Sequence, residues 1–571
     1  MKNIFNIILM ICTFLCTVGC EDYLDNPPED QISVNSFFRT ANDLDNYVKK
    51  FYTTFPGHGN ADVPKSEDNS DNLITPAPNS VINGERPTAT GDWQDDWEDI
   101  RAINIFFDNL DNVEDGLELY AQSLGEAHFF RAMFYFDLLR KYGDVPIIDT
   151  QLFPDSEALL NPRDPRTAVV DFILSDLDNA IRHLGKIAVT GNARLNKEAA
   201  LAFKSRVALY EGSWQKYHAG TAFGTSGANP NTYFQQAVNA AEELINGNYR
   251  RGIYSTGNPE DDYYALFGTE DMTNINEVLF YKVSSIAEGL GSNIQFLTTV
   301  RTADMAVTWS LISSYLDRNG DPYDYLGLAG TTKGNAFLSQ IATDCDPRLA
   351  STIWIPGDVR VSKDNLFFDR PALTGGSEES CVTGFQVKKF SNAFILSAGS
   401  GFGGLSEIGR IHFRYAEVLL NYAEAKYELN GSVATAQLNL LRARVGMPDF
   451  DVIPQADYGS NLVDYGYAVS DELYAIRNER RVELALEGNR IDDYRRWAAH
   501  GLFKGKRPLG YPFKSSEFPG HNPSIDANGL IDQFASELPN GYTFREGQDY
   551  LNSIPQDELV LNPNLVQNPG W

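Results

Sequence analysis

The stretch Gly125-Glu126-Ala127-His128-Phe129-Phe130-Arg131-Ala132-Met133-Phe134-Tyr135-Phe136-Asp137-Leu138-Leu139 decides the fold class of this chain. Ala127, Phe130 and Phe134 recur at spacings of three and four residues, which is the period of one face of an α-helix. Gly143 and Pro146 follow and end the pattern, because neither residue continues a helix well. The stretch therefore predicts an amphipathic helix with a strongly aromatic buried face.

Two pairs of helices rich in small residues predict the scaffold. One pair spans residues 196–210 and 233–245, and a similar pair spans residues 415–429 and 433–444. Spaced alanines let two helices approach closely, as in tetratricopeptide (TPR) repeats. Between residues 250 and 410 the sequence becomes rich in Gly, Ser, Asn, Asp and Pro. We expect a mostly α fold, in which TPR-like helix pairs form a scaffold and a loop-rich second region carries short strands and helices.

The chain opens with a secretory signal that ends at a cysteine. Lys2 precedes an apolar run over residues 4–18, and Gly19 stands directly before Cys20. The run is shorter than the ~20 residues that a bilayer span needs, so it indicates a cleaved signal. A cysteine after a small residue is the acylation site of lipoproteins, although an ordinary signal peptide that contains a cysteine is the alternative. We expect residues 1–19 to be removed and Cys20 to carry the lipid anchor.

The net charge limits which partners the chain can bind, and the cysteine content limits which disulfides it can form. The formal net charge is −30, and hydrophobic residues make up 43% of the chain. These values indicate a folded globular protein and argue against nucleic acid or an anionic membrane surface as partners. Cys345 and Cys381 are the thiols that remain beyond the signal and the anchor, so the sequence allows one disulfide without deciding whether it forms.

Two motifs match the sequence patterns of ligand-binding sites but are better explained as loops. Gly399-Ser400-Gly401-Phe402-Gly403-Gly404 matches a dinucleotide-binding pattern but lacks the strand-to-helix unit around it. Asp317-Arg318-Asn319-Gly320-Asp321 offers oxygen ligands, yet its glycine stands one place too early for a calcium loop. An Asn-Gly turn explains it, with calcium as the alternative. We expect no cofactor and no metal.

Three carboxylates near the C-terminus form a candidate catalytic group. Glu479, Glu483 and Glu487 share one face of a predicted helix over residues 471–500. A glycosidase needs two carboxyl groups facing each other across a cleft, whereas arginines are interleaved with these three. The pattern therefore favours charge-paired helix packing, and we expect no catalytic residue.

Aromatic residues in polar loops are the candidates for ligand binding. Trp93 and Trp97 end one polar stretch, and Trp309 stands where another loop approaches a helix. Sugar rings present C–H faces that pack on indole, while their hydroxyl groups need carboxylates, amides or guanidinium groups. The alternative for each tryptophan is a place in the core. We expect the ligand site in the loops around residues 60–97 and 285–310.

Several blocks, in order from Cys20 to Gly570, resemble the SusD/RagB family of nutrient-binding lipoproteins. The strongest are Arg414-Tyr415-Ala416-Glu417-Val418-Leu419-Leu420, Glu479-Arg480-Arg481-Val482-Glu483-Leu484 and Asn562-Pro563-Asn564-Leu565. Further blocks lie at residues 20–25, 36–44, 93–104, 126–132 and 142–146. The resemblance covers the whole chain after the signal, with an N-terminal region at residues 20–255 and a C-terminal region at residues 256–571.

The resemblance implies a location and a function. Members of the family are helical proteins, not enzymes, and are anchored by lipid to the outer membrane on its exterior face. They bind a glycan and act as a lid on a SusC-like TonB-dependent transporter. A peptide-binding lid of the same kind is the alternative, and a glycoside hydrolase is a third reading that the missing acid pair disfavours. The family's ligand residues lie in variable loops, so the resemblance assigns no site residue here.

Overall fold

The computed structural model describes residues 37–89, 92–395 and 406–571 of the chain. The signal at residues 1–19, Cys20 and the Gly-rich motif at residues 399–404 lie outside the described residues. Within the described ranges, no helix combines the length and the apolar character that a membrane span requires.

The described residues are mostly α-helical, as predicted. The helices are α1 Ala41–Lys49, α2 Asp62–Ser66, α3 Asp92–Asp108, α4 Leu117–Tyr142, α5 Arg166–His183, α6 Ile187–Thr190, α7 Lys197–Tyr217, α8 Pro230–Asn246, α9 Asp262–Phe267, α10 Ile294–Thr299, α11 Trp309–Ile312, α12 Tyr325–Thr331, α13 Asn335–Asp344, α14 Pro347–Thr352, α15 Tyr415–Asn430, α16 Thr435–Arg444, α17 Asp471–Glu483, α18 Arg490–Arg496 and α19 Gln556–Leu561. The strands are β1 Leu73–Ile74, β2 Val278–Lys282, β3 Ala306–Val307, β4 Val359–Val361, β5 Leu366–Phe367 and β6 Arg410–Arg414.

The two predicted helix pairs are confirmed. Helix α7 packs against α8, and α15 packs against both of them and against α16. The pairing depends on small residues, since a Cβ atom on Gly212 of α7 would lie 2.7 Å from the ring of Phe234 on α8. Ala237 and Ala241 on α8 are fully buried. Local chemistry starts α7 where expected, because the Asn196 side chain accepts a hydrogen bond from the Ala199 N–H at 2.8 Å.

Short strands tie the loop-rich region to the helices. Strand β2 pairs with β6 in antiparallel fashion, and β1 pairs with β3 in the same sense. Strand β6 runs directly into α15 and ends at Arg414, whose side chain is buried. The β2–β6 pair therefore places the charged side chain of Arg414 inside the scaffold.

The prediction of one helix over residues 471–500 is wrong. Helix α17 ends at Glu483, and α18 begins only at Arg490. Between them Leu486 and Gly488 adopt positive φ angles of 65° and 83°, which an α-helix cannot contain. Glu487 consequently lies in the turn and not on the face that carries Glu479 and Glu483.

Charge pairing of the three glutamates is confirmed, but with partners other than the neighbouring arginines. Glu483 is fully buried and binds Arg444, Arg414 and Arg348 at 2.6, 2.7 and 3.0 Å. Glu479 binds Arg348 and Arg442, and Glu487 binds Lys389 and Arg414. Burial alone would raise the pKa of Glu483, yet the three guanidinium groups hold that pKa well below its usual range. We call this set of glutamates and cations the arginine cluster.

One cluster of buried apolar side chains includes residues from Phe38 to Leu565. The C-terminus closes onto the first half of the chain, since Asn568 donates to the Tyr142 carbonyl and accepts from Arg163. The division into regions at residues 255 and 256 stays a prediction.

Both remaining thiols are free in the structure. Cys345 and Cys381 are buried, and the Tyr325 hydroxyl donates to the Cys345 sulfur at 3.2 Å. Burial raises the pKa of each thiol to about 12, so neither is a ready nucleophile.

We expect His218 to make folding sensitive to acid. Its Nε2 atom lies 2.7 Å from the Arg495 carbonyl oxygen, its ring stacks on Trp214, and burial lowers its pKa to about 3. The pKa of histidine in the unfolded chain is about 6.5. Between about pH 3 and pH 6.5 the unfolded chain therefore binds more protons at this residue than the folded protein does. The free energy of unfolding should therefore fall by up to about 1.4 kcal/mol per pH unit below pH 6.5 from this residue.

Urea unfolding of the wild type and of His218→Gln at pH 7.5, 5.5 and 4.5 measures this contribution. The difference between the two proteins should shrink steadily below pH 6.5. A constant difference would show that His218 becomes protonated in the folded protein without cost.

Candidate ligand-binding site

The three predicted tryptophans lie at two separate places. Trp93 and Trp97 stand in the first two turns of the long helix α3, whereas Trp309 is the first residue of the short helix α11. Trp93 and Trp97 line one cavity together, and Trp309 lines another. The structure therefore brings two of the predicted residues together and leaves the third apart from them.

The Trp309 pocket has a volume of about 240 Å³ and is built from four loop segments and Tyr542. Trp309 is held by its backbone, because its N–H donates to the Leu509 carbonyl at 2.7 Å. Its indole stacks on Phe337, with ring centroids 5.8 Å apart and planes at 23°. Only 8% of the residue is exposed, so the indole forms part of the pocket wall and not a free platform.

Two buried polar atoms in this pocket have no hydrogen-bond partner among the described residues. They are Oδ1 of Asn461 and the hydroxyl of Tyr542, on side chains that are 7% and 3% exposed. The Asn461 amide is oriented by its other atom, since Nδ2 donates to the Tyr323 carbonyl at 2.6 Å. Buried polar groups are nearly always satisfied, so an acceptor and a hydroxyl left open in one pocket point to a polar ligand.

The charged residues that line the Trp309 pocket are two acids, Asp71 and Asp464, and two bases, Lys506 and Arg507. Asp71 holds Arg481 and Arg490 at 2.8 and 2.7 Å. Burial opposes the ionised form of Asp71, but these two cations lower its pKa to about 2. Lys506 donates to the Gly501 carbonyl at 2.7 Å, and Arg507 binds Asp532 at 2.8 Å. The pocket therefore presents polar atoms with little net charge, which suits a neutral ligand rich in hydroxyl groups.

The second cavity, with a volume of about 620 Å³, is mostly apolar. Trp93 is buried and packs edge-on against Tyr142, with ring centroids 4.9 Å apart. The ring centroids of Trp93 and Trp97 are 5.6 Å apart. The carboxylate of Asp96, next to Trp97 in the chain, binds Lys141 and the Tyr142 hydroxyl. The Nε1 atom of Trp97 is buried and has no partner among the described atoms.

The loop Asp317-Arg318-Asn319-Gly320-Asp321 forms the predicted turn. The Asp317 carboxylate accepts from the N–H groups of Asn319 and Asp321 at 2.8 and 2.9 Å, and Gly320 adopts a φ of 88°. In residues 37–89, 92–395 and 406–571 there is no group of three or more His, Cys, Asp or Glu placed to hold a metal ion.

Sequence profiles identify the relatives of this architecture. The profile of the SusD family matches residues 288–571, and a profile described as starch-binding, associating with outer membrane, matches residues 22–209. The chain belongs to the SusD/RagB family. The resemblance predicted from the sequence blocks is thereby confirmed.

Individual relatives extend over the whole chain. SusD-like protein P2 of Formosa agariphila is 25% identical over 590 aligned residues, which are 99% of this chain and 99% of that one. A SusD-like carbohydrate binding protein from Bacteroides fragilis covers 93% of this chain and 100% of its own, with 22% identity and a TM-score of 0.70. A laminarin binding SusD-like protein covers 94% and 100%, with 20% identity and a TM-score of 0.58. The two solved structures share the fold described above.

Sequence reasoning found Trp309 but missed the polar half of its pocket. Asn461 lies in a 3₁₀ turn and Tyr542 in an irregular loop, and both are single polar residues outside any periodic pattern. They come from segments more than 150 residues beyond Trp309, and no motif marks them. Only the folded chain shows that they face the same pocket.

Proposed function

We propose that this protein binds a neutral glycan and that Trp309, Asn461 and Tyr542 contact it. The observation that carries the proposal is the pair of unsatisfied buried polar atoms on residues that line one pocket together with Trp309. Sugar hydroxyl groups both donate and accept, so a glycan can pair with the Asn461 oxygen as well as with the Tyr542 hydroxyl. Relatives described as carbohydrate binding and laminarin binding support the class of ligand.

We further propose that the protein is a lipoprotein of the outer membrane, anchored through Cys20 and facing the exterior. The family description "associating with outer membrane" and the signal before Cys20 support this location. In this arrangement the protein captures the glycan and covers a SusC-like TonB-dependent transporter. A binding role without catalysis is supported by the glutamates of the arginine cluster, which are tied up in ion pairs.

Calorimetry with a panel of neutral polysaccharides and oligosaccharides tests the glycan site. We expect Tyr542→Phe to weaken binding by about 3- to 10-fold, because one hydrogen bond contributes about 0.5–1.5 kcal/mol. Its thermal stability should stay unchanged or rise, since the hydroxyl has no partner among the described residues. Trp309→Phe should also weaken binding, while raising the salt concentration should have little effect on a neutral ligand.

Tyr511→Phe is the matched control. The Tyr511 hydroxyl is also buried and has no partner in the part of the chain that the structure describes, but the residue does not line the Trp309 pocket. This variant should bind the glycan as the wild type does. Unchanged affinity in Tyr542→Phe and Trp309→Phe would contradict the placement of the site, and a protein that binds peptides but no glycan would replace the proposal with the peptide-binding alternative.

A further inference from the structure

Three exposed apolar side chains, Phe153, Leu159 and Leu561, line the Trp93–Trp97 cavity, and three more lie close to them in the chain. Six of the 18 large apolar side chains that are exposed in the described ranges lie on two short segments, and they are between 48% and 73% exposed. They are Phe153, Leu159, Leu160, Val560, Leu561 and Val566. Contiguous apolar surface of this kind marks an interaction site more often than scattered single residues do. We call these six residues the apolar rim.

The two segments of the apolar rim are fixed side by side. Asn562 donates to the Leu159 and Asn161 carbonyls at 3.2 and 2.9 Å, and Asn564 donates to the Leu160 carbonyl at 2.7 Å. Arg163 donates to the Val566 carbonyl at 2.6 Å. These bonds use backbone carbonyls, so the chain is held in place while its apolar side chains still face solvent.

The cavity beneath the rim suits an apolar side chain better than a sugar. Apolar residues such as Trp93, Trp97 and Ile100 make up most of its lining, and the polar lining residues are Gln94, Arg101, Thr150, Glu558 and Asn562. A sugar ring placed against the apolar part would leave its hydroxyl groups on that side unpaired, which costs free energy. The buried Nε1 atom of Trp97 is a single donor without a partner, and a peptide carbonyl next to an apolar side chain would accept from it.

One basic residue, Arg101, and one acidic residue, Glu558, line the cavity, and four more acidic residues stand near its lining residues in the chain. Glu98 follows Trp97, Asp155 and Glu157 lie between the rim residues of the first segment, and Asp557 lies on α19 of the second. None of them forms an ion pair with another described residue, in contrast to the paired carboxylates of the interior. A partner that brings positive charge to this rim gains favourable electrostatic energy.

We propose that the apolar rim and the Trp93–Trp97 cavity dock a partner protein through a segment in which a large apolar side chain is flanked by lysine or arginine. The side chain enters the cavity, the backbone beside it accepts from Trp97, and the basic residues meet the acidic flank. This surface is separate from the Trp309 pocket, so the inference does not depend on the proposed glycan function.

The test uses the purified protein and a fluorescent peptide, Lys-Lys-Leu-Trp-Leu-Lys-Lys, read out by anisotropy. We expect saturable binding that is at least tenfold weaker in Leu561→Asp and Phe153→Asp, because both side chains line the cavity. Val189→Asp is the matched control, since Val189 is 84% exposed on α6 and lies outside the rim. Its affinity should equal that of the wild type.

The sign of the change separates docking from simple charge attraction. An added aspartate strengthens a purely electrostatic attachment of the basic peptide, whereas it weakens insertion into the cavity. Peptides with Glu in place of Lys, or with Ala in place of Leu and Trp, should bind at least tenfold more weakly than the parent. Melting curves check that each variant folds.

Four results would overturn the proposal. They are no saturable binding of the parent peptide, tighter binding by Leu561→Asp, displacement of the peptide by neutral oligosaccharides, and self-association of the protein that Leu561→Asp abolishes. The third result would make the cavity a glycan site, and the fourth would make the rim an interface between two copies of the chain.

Discussion

Replacing Glu483 with alanine should lower the free energy of unfolding by about 3–5 kcal/mol, because it leaves buried charges without their partner. Arg348, Arg414 and Arg444 all bind this carboxylate, and all three guanidinium groups are buried. Their positive charges would then repel one another in a medium that water screens poorly. We expect low expression or a clearly lower urea midpoint, and we expect Glu483→Gln to lie between the alanine variant and the wild type.

Glu546→Ala is the control for this prediction. Glu546 binds Lys504 and His500 on the surface and is about half exposed, so its removal should change stability by about 0–1 kcal/mol. If both variants lost a similar amount of unfolding free energy, the arginine cluster would be no more important to the fold than a surface ion pair. A stable Glu483→Ala protein that has lost only its glycan binding would place the cluster in the ligand site instead.

Cys20→Ala should abolish the lipid anchor completely. In the lipoprotein that we propose, the sulfur of Cys20 takes the diacylglyceryl group, and alanine offers no replacement for it. Two or three acyl chains hold a protein stably on a membrane, because each buried CH₂ contributes about 0.8 kcal/mol, whereas one chain does not suffice. Mass spectrometry of the N-terminal peptide and fractionation of membranes from soluble protein measure the effect.

Cys16→Ala is the control for the anchor, since it removes a thiol from the same leader and leaves Cys20 in place. This variant should be acylated and sediment with the membranes. A wild-type protein whose mature N-terminus is an unmodified residue other than Cys20 would refute the lipoprotein assignment.

Regular patterns in the sequence were enough to predict the scaffold. The helix pair α7 and α8 was visible because alanine spacing and the Asn196 cap are local features, and the structure confirms both. The end of α17 could not be predicted from the sequence, because the turn after it requires a φ of 65° at Leu486, which leucine does not favour. Bonds from Lys389 and Arg414 to Glu487 hold this turn, and those two residues lie far away in sequence.

The candidate site was predicted only in part for a similar reason. An aromatic residue in a polar loop can be noticed alone, so Trp309 was found. Its burial depends on Phe337 and its pocket on Asn461 and Tyr542, which the chain brings together through loops without periodicity. The expectation that Trp93 and Trp97 stack on sugar stays a prediction, and the apolar lining around them favours a different use.

The pairing of Asp71 with Arg490 bears on the order in which this exported chain acquires its structure. The two residues are 419 positions apart, and the neighbouring contact between Glu67 and the Gly488 N–H spans 421 positions. Closing such long loops costs entropy before any contact repays it, which slows folding. A chain that leaves a translocation pore with its N-terminus first cannot complete this centre until residue 490 has emerged. The contacts that hold residues 67–71 in place therefore form only after nearly the whole chain has emerged.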